Sequence, residues 1–130
     1  MIASGKRKTA IAKASIKTGT GIVTINKKSI AAFTMLQQLE LNEPLILAKE
    51  VLGDLNFDIS VNVRRGGMAS RIEASRLAMA RVILEFTKDE KVKQAFVAYD
   101  RNMLVADTRR KEAYKPGDSK ARAKRQTSYR

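Results

Sequence analysis

The sequence predicts an α+β fold with an extended basic C-terminal tail, and three observations lead there. Phe57-Asp-Ile-Ser-Val-Asn-Val-Arg64 alternates apolar and polar residues without a break, which is the pattern of a strand with one buried face. The chain from about Ala69 to Phe86 then repeats its apolar residues at helical spacing. Beyond Asp107 the apolar period is gone, and only alanines and tyrosines interrupt a polar, cationic run. With 130 residues, 44% of them hydrophobic, the chain has material for one core, and whole-chain disorder is not expected. The expected organisation is a single domain over 1–108 with a basic N-terminal arm, followed by a tail over 109–130.

Taken in order, Lys8–Lys17 places Ala10, Ala12, Ala14 and Ile16 on one side of a strand and Lys13, Ser15 and Lys17 on the other. Thr18-Gly-Thr-Gly21 is a turn signal and Ile22-Val-Thr-Ile25 is β-branched throughout, so the two segments are expected to form a hairpin. Residues 29–41 are apolar without a clean period. Asn42-Glu43-Pro44 has the composition of a helix start, with Asn as N-cap and Pro in the first turn, and Gly53 is a natural stop. After the strand at 57–64, Arg65-Gly66-Gly67 leads into the long helix. Its wheel groups Ile72, Met79, Ile83 and Phe86 on one side, with Ala74, Ala78, Arg81 and Glu85 opposite and Arg71 at the margin. That second face reads as an outer one, small in volume and carrying arginine. Arg76 lies near the apolar stripe and is expected to snorkel or pair. Asp89–Tyr99 is a shorter helix, and Met103-Leu104-Val105 an apolar anchor after it.

Charge gives the strongest functional signal. Residues 1–28 hold seven Lys/Arg and no acid, and residues 109–130 hold nine against Glu112 and Asp118. Between them the balance is ten basic to eleven acidic, so the two ends account for the whole of the net +13. A neutral body with two cationic arms suits a polyanion, and nucleic acid comes first. Lys6, Arg7 and Lys8 form one arm. In the other, alanines separate Lys120, Arg122 and Lys124, with Arg125 following, which keeps the strand thin enough to thread between phosphates. Fully extended, the tail would reach roughly 70 Å. Arg64-Arg65-Gly66-Gly67 is either a phosphate contact or an ordinary strand–helix turn, since glycine there permits close backbone approach and a helix N-terminus favours anions.

Other chemistries find little material. The chain has no Cys and no His, which removes thiolate ligands, the commonest metal ligand and the commonest general base. No apolar run approaches bilayer length and no signal-peptide core precedes the fold, so an intracellular protein without membrane attachment is expected. Asp54/Asp58 and Asp89/Glu90 could in principle hold a divalent ion, as in a metal-dependent nuclease. They fit better as a loop-and-strand pair and as a helix first turn. No catalytic residue, metal, cofactor or small-molecule substrate is expected. Nonspecific nucleic-acid compaction is the other binding class compatible with the charge.

Gly5-Lys-Arg-Lys-Thr-Ala-Ile-Ala12, Gly19-Thr-Gly21 and Asn26 together resemble the opening of small-subunit ribosomal protein nine. Asn42-Glu-Pro-Leu45, Tyr99-Asp-Arg101, Asp107-Thr-Arg-Arg-Lys-Glu112 and the closing Gln126-Thr-Ser-Tyr-Arg130 are similar to that family's archaeal and eukaryotic branch, and the ending points to the archaeal type. The resemblance spans nearly the whole chain. It departs at the central signature, where Arg65 stands for the first of three glycines and Arg71 for a glutamine. The resemblance implies a two-layer body like the second domain of small-subunit ribosomal protein five, seated in the head of the small subunit. With rRNA as the polyanion, contacts are expected from the charged arm, loop and helix face at Lys6, Arg7, Lys8, Arg64, Arg65, Gly66, Gly67, Arg71 and Arg81, and along the tail from Arg109, Arg110, Lys111, Lys115, Lys120, Arg122 and Lys124. The resemblance further implies that Arg125, Ser128, Tyr129 and Arg130 reach the peptidyl-site tRNA, with mRNA nearby and other head proteins as neighbours, in the cytoplasm.

Overall fold

A computed structural model describes residues 1–126 together with Ser128 and Tyr129. Five strands form one sheet in the order β1-β2-β5-β3-β4: β1 Ile2–Arg7, β2 Ala10–Thr18, β3 Val23–Ile25, β4 Lys28–Ser29 and β5 Phe57–Arg64. Of the three α-helices, α1 Met35–Leu52, α2 Met68–Thr87 and α3 Glu90–Tyr99, α2 packs on one face of it against β1, β2 and β5, while α1 and α3 pack on α2 and on each other. The alternation of β2 and β5 is borne out: Ala10, Ala12, Ala14 and Ile16, with Phe57, Ile59, Val61 and Val63, are all buried. Their intervening neighbours leave the other face of the sheet bare.

The expected hairpin of the second and third strands does not form. β2 and β3 flank β5, antiparallel and parallel to it respectively. The cause is the Asp58 carboxylate near the start of β5, whose Oδ1 accepts the N–H groups of Thr20, Gly21 and Ile22 at 2.9, 3.1 and 2.9 Å. The loop is thereby bent across the end of β5 instead of folding back on β2. Gly19 is required there, because a Cβ would lie 2.2 Å from the Asp58 carboxyl carbon. Asn26 fixes β3 further along, accepting from the Val63 N–H at 2.8 Å and donating to its carbonyl at 3.2 Å.

These bonds, led by that from Ile22, hold the Asp58 carboxyl below the usual carboxylate range. Asp58→Asn is expected to lower the melting temperature at neutral pH. An unfolded Asp titrates near 3.8, so the stabilisation is full above that value and is lost as pH falls through the lower folded one. The gap between variant and wild type should therefore close in acid. A gap of constant size from neutral pH to about pH 3 would contradict this account.

Helix α1 begins eight residues before the expected start. The Thr34 N–H donates to Gln37 Oε1 at 3.2 Å, capping a turn that the sequence marks only weakly. Pro44 sits buried inside the helix, and Leu41 and Ala48 join it in the core. Leucines, Met35 and Ile46 point in all directions from α1, which is why no period was legible. Gly53 ends it as expected, at φ 80°.

Helix α2 departs most from expectation. Ten of its residues are buried, and they lie around nearly its whole circumference. The face of Ala74 and Ala78 is an inner one, packed on β1 so closely that a Cβ on Gly5 would lie 2.2 Å from the Ala74 carbonyl oxygen. Small side chains on this face admit a strand, not RNA. Arg81 on the same face is a clamp: its Nε donates to the Leu104 carbonyl at 3.0 Å and its Nη1 to that of Ser4 at 2.8 Å. Arg76 pairs as expected, with Glu43 and Asp100. Val92, Phe96 and Met103 are fully buried and seat α3 and the turn after it.

Candidate nucleic-acid interface

Strand pairing brings the basic segments to one end of the fold. β1 is itself an edge strand of the sheet, paired with β2 from Ile2↔Ser15 to Arg7↔Ala10, so the N-terminal charge is built into the body. A two-residue turn, Lys8-Thr9, joins them, with Lys8 at φ 51°. Because Ile11 pairs with Arg64, β5 leaves the sheet beside this turn. Arg65 and Gly66 follow at φ 62° and 74°, both left-handed. Gly66 presses on Ala10, where a Cβ would meet the Ala10 Cβ at 2.7 Å and its N at 2.9 Å. Arg65 thus adopts a glycine-like backbone while carrying a cation into solvent.

Arg71 explains how the loop tolerates that. Its Nε donates to the carbonyls of Arg65 and Gly66, both at 3.1 Å, and ties the loop to the first turn of α2. The two departures from the three-glycine signature therefore belong together. One places an arginine in a strained turn, and the other holds that turn from within.

The tail joins the same end through an acid to which the sequence reading gave no role. Asp107 accepts from Arg7 Nη1, from the Arg109 backbone N–H at 2.8 Å, and from the Arg109 guanidinium at 2.7 and 2.9 Å. The Arg109 hydrogen bonds hold the Asp107 carboxyl well below the usual carboxylate range, and Asp107 in turn raises Arg109. Arg7 also pairs with Glu73 on α2. Strand β1, helix α2 and the root of the tail thus meet at one cluster. Arg7, Lys8 and Thr9 line a cleft with Arg109, Arg110 and Lys111. The two cationic ends of the chain, about a hundred residues apart in sequence, share a wall.

The cations divide by what they touch. Arg7, Arg71 and Arg81 bond to the fold itself. Lys6, Lys8, Arg64 and Arg65 are exposed, and none forms a salt bridge among the described residues. Further out, Arg110 bonds only to nearby carbonyls and Lys111 stands over the Tyr114 ring at 5.2 Å. From Thr108 onward every described residue except Asp118 is exposed. The tail is not uniformly extended, since Arg122 pairs with Glu112 at 3.0 Å and Arg125 donates to the Gly117 carbonyl at 2.9 Å. Lys115, Lys120 and Lys124 are exposed, as are Ser128 and Tyr129, while Arg130 lies outside the described residues.

The family description Ribosomal protein S9/S16 fits residues 5–130. The chain belongs to the ribosomal protein S9/S16 family. Proteins named small ribosomal subunit protein uS9 from two strains of Methanococcus maripaludis are 45% identical to it over 129 residues, covering 97% of this chain and 95% of theirs. The uS9 of Methanococcus vannielii is 44% identical over the same span. As a member of the S9/S16 family the chain is a structural ribosomal protein of archaeal type and not an enzyme. Asp58, the carboxylate that a nuclease reading would need, is engaged by three backbone N–H groups of its own fold.

Proposed function

We propose that this protein is a structural constituent of the small-subunit head, working in the cytoplasm, and that it binds rRNA through the basic end of its body. The convergence of the β1–β2 turn, the β5–α2 loop and the root of the tail carries this reading. Three segments distant in sequence present Lys6, Lys8, Arg64, Arg65, Arg110 and Lys111 side by side, in the manner of a site for a run of phosphates. Gly66 and Gly67 let the backbone approach the same RNA. Arg7 and Arg71 shape the site from behind, Arg109 lies exposed at its edge on Asp107, and Arg81 is left out because its guanidinium is committed to β1 and Leu104. The body over 1–108 is folded like the second domain of small-subunit ribosomal protein five, and 109–130 works as a separate tail.

The tail carries Lys115, Lys120, Arg122 and Lys124 along rRNA. Its end, with Arg125, Ser128, Tyr129 and Arg130, meets the peptidyl-site tRNA, near mRNA and among other head proteins. Exposure of the tail without a core supports this, because such a chain orders only against a partner. Subunits assembled with protein lacking Ser128–Arg130 should form normally and bind peptidyl-site tRNA more weakly, as read by filter binding. Unchanged tRNA affinity in those subunits would remove the tail's proposed role. Failure of the full-length protein to co-sediment with small subunits at moderate salt would remove the whole reading.

A further inference from the structure

The bare face of the sheet has an order that neither the basic end nor the tail explains. At one register Ser15, Ser60, Thr24 and Ser29 stand side by side across β2, β5, β3 and β4, as their pairings Ser15↔Ser60, Thr24↔Ser60 and Thr24↔Ser29 require. Adjacent strands lie about 4.8 Å apart, so the four hydroxyls form a row roughly 14 Å long. On β2 the row runs between Lys13 and Lys17, which are about 13 Å apart along the strand. Asn62 is paired with Lys13, and Lys6 and Arg64 both flank Ile11 at the next register. All of these residues are exposed except Thr24, which is half-buried. The only acid on the face is Asp58, already engaged by the loop after β2.

The geometry points to this face as a second RNA-binding surface, specific for the minor groove of double-helical RNA. It rests on the rRNA-binding reading above and adds to it a surface and a class of RNA structure. A sheet face without aromatic residues cannot stack the bases of a single strand. It does fit the wide, shallow minor groove of an A-form helix, which displays 2′-hydroxyls with phosphates at its edges. The hydroxyl row meets the 2′-hydroxyls, and the Ser15 Oγ, which donates to the Ser60 carbonyl at 3.2 Å, keeps its lone pairs free to accept from one. Lys13 and Lys17 reach phosphates on either side. B-form DNA has a narrower minor groove and no 2′-hydroxyl, so it gains only the charge.

The test uses the full-length protein and three probes of one sequence: an RNA duplex of about 16 base pairs, the matching DNA duplex, and the single RNA strand. Lys13→Gln with Lys17→Gln should weaken RNA-duplex binding about 50-fold near 0.1 M salt and reduce the salt slope by about 2. Ser15→Val with Ser60→Val should weaken binding to the RNA duplex and leave the DNA duplex unchanged. All four sites are exposed, so thermal melts should match the wild type. Equal loss on DNA and RNA in the serine variant would overturn the proposal, and so would single-stranded RNA binding as tightly as the duplex. If both sheet variants bind RNA as the wild type does while charge removal at the Lys8–Arg65 end weakens it, the sheet face is not a surface and the rRNA reading stands. If neither region matters, both readings fail.

Discussion

Gly5→Val is expected to destabilise the protein by about 3 kcal/mol or more, at the upper end of what overpacking costs. Gly5 lies in β1 with its open side toward α2. A Cβ there would come within 2.2 Å of the Ala74 carbonyl oxygen and 2.7 Å of the Ala78 nitrogen. Both are backbone atoms, so no side chain can rotate away, and either the strand or the helix must move. Movement of β1 breaks the Arg81 bond to the Ser4 carbonyl and pulls Arg7 from Asp107 and Glu73. One added side chain therefore disturbs the core and the basic end together. Urea unfolding measures the cost. Ser4→Val is the control: its side chain is exposed on the same strand, and its effect should stay within about 0.5 kcal/mol. Equal stability of the two variants would show that β1 is not packed on α2 in this way.

The same contact shows where the sequence was legible and where it was not. β5 could be read directly because alternate positions face water and core. β2 could be read for the same reason, although Ile11 interrupts its polar side and is exposed. Helix α2 is legible nearly to the residue, and its large apolar residues Ile72, Met79 and Ile83 are buried as expected, but the small face opposite them is buried too. A wheel divides residues into large and small, and a small face looks like a surface until the glycine opposite it is known. Gly5 lies 69 residues before Ala74, and nothing local connects them. The β2–β3 hairpin failed in a similar way. Thr18–Gly21 does turn the chain, yet its N–H groups are claimed by Asp58 from a strand formed much later. At the candidate site the cations were legible as composition. Their division into exposed and internally bonded ones was not, since it depends on Asp107, Glu73 and two loop carbonyls.

That division predicts two dissociable phenotypes. Replacing Lys8, Arg65, Arg110 and Lys111 together by Gln should weaken binding to rRNA by about three to four orders of magnitude near 0.1 M salt. Each lost phosphate contact removes about 0.9 from the log–log salt slope, or about eightfold at that concentration. Thermal stability should hardly change, because these side chains are exposed and bond at most to neighbouring carbonyls of the tail root. Replacing Arg7, Arg71 or Arg81 by Gln should do the reverse. Arg71 holds two carbonyls of the β5–α2 loop and Arg81 ties β1 to Leu104. Loss of either should cost about 1–2 kcal/mol. Loss of Arg7 leaves Glu73 and Asp107 facing each other without the cation between them, and it frees the tail root from β1. RNA affinity in these variants should fall only as far as the fold loosens, with the salt slope close to the wild type. A steep loss of salt slope on Arg71→Gln or Arg81→Gln would mean that these guanidiniums reach phosphate after all. An unchanged slope in the fourfold variant would mean that the rRNA lies against some other part of the molecule.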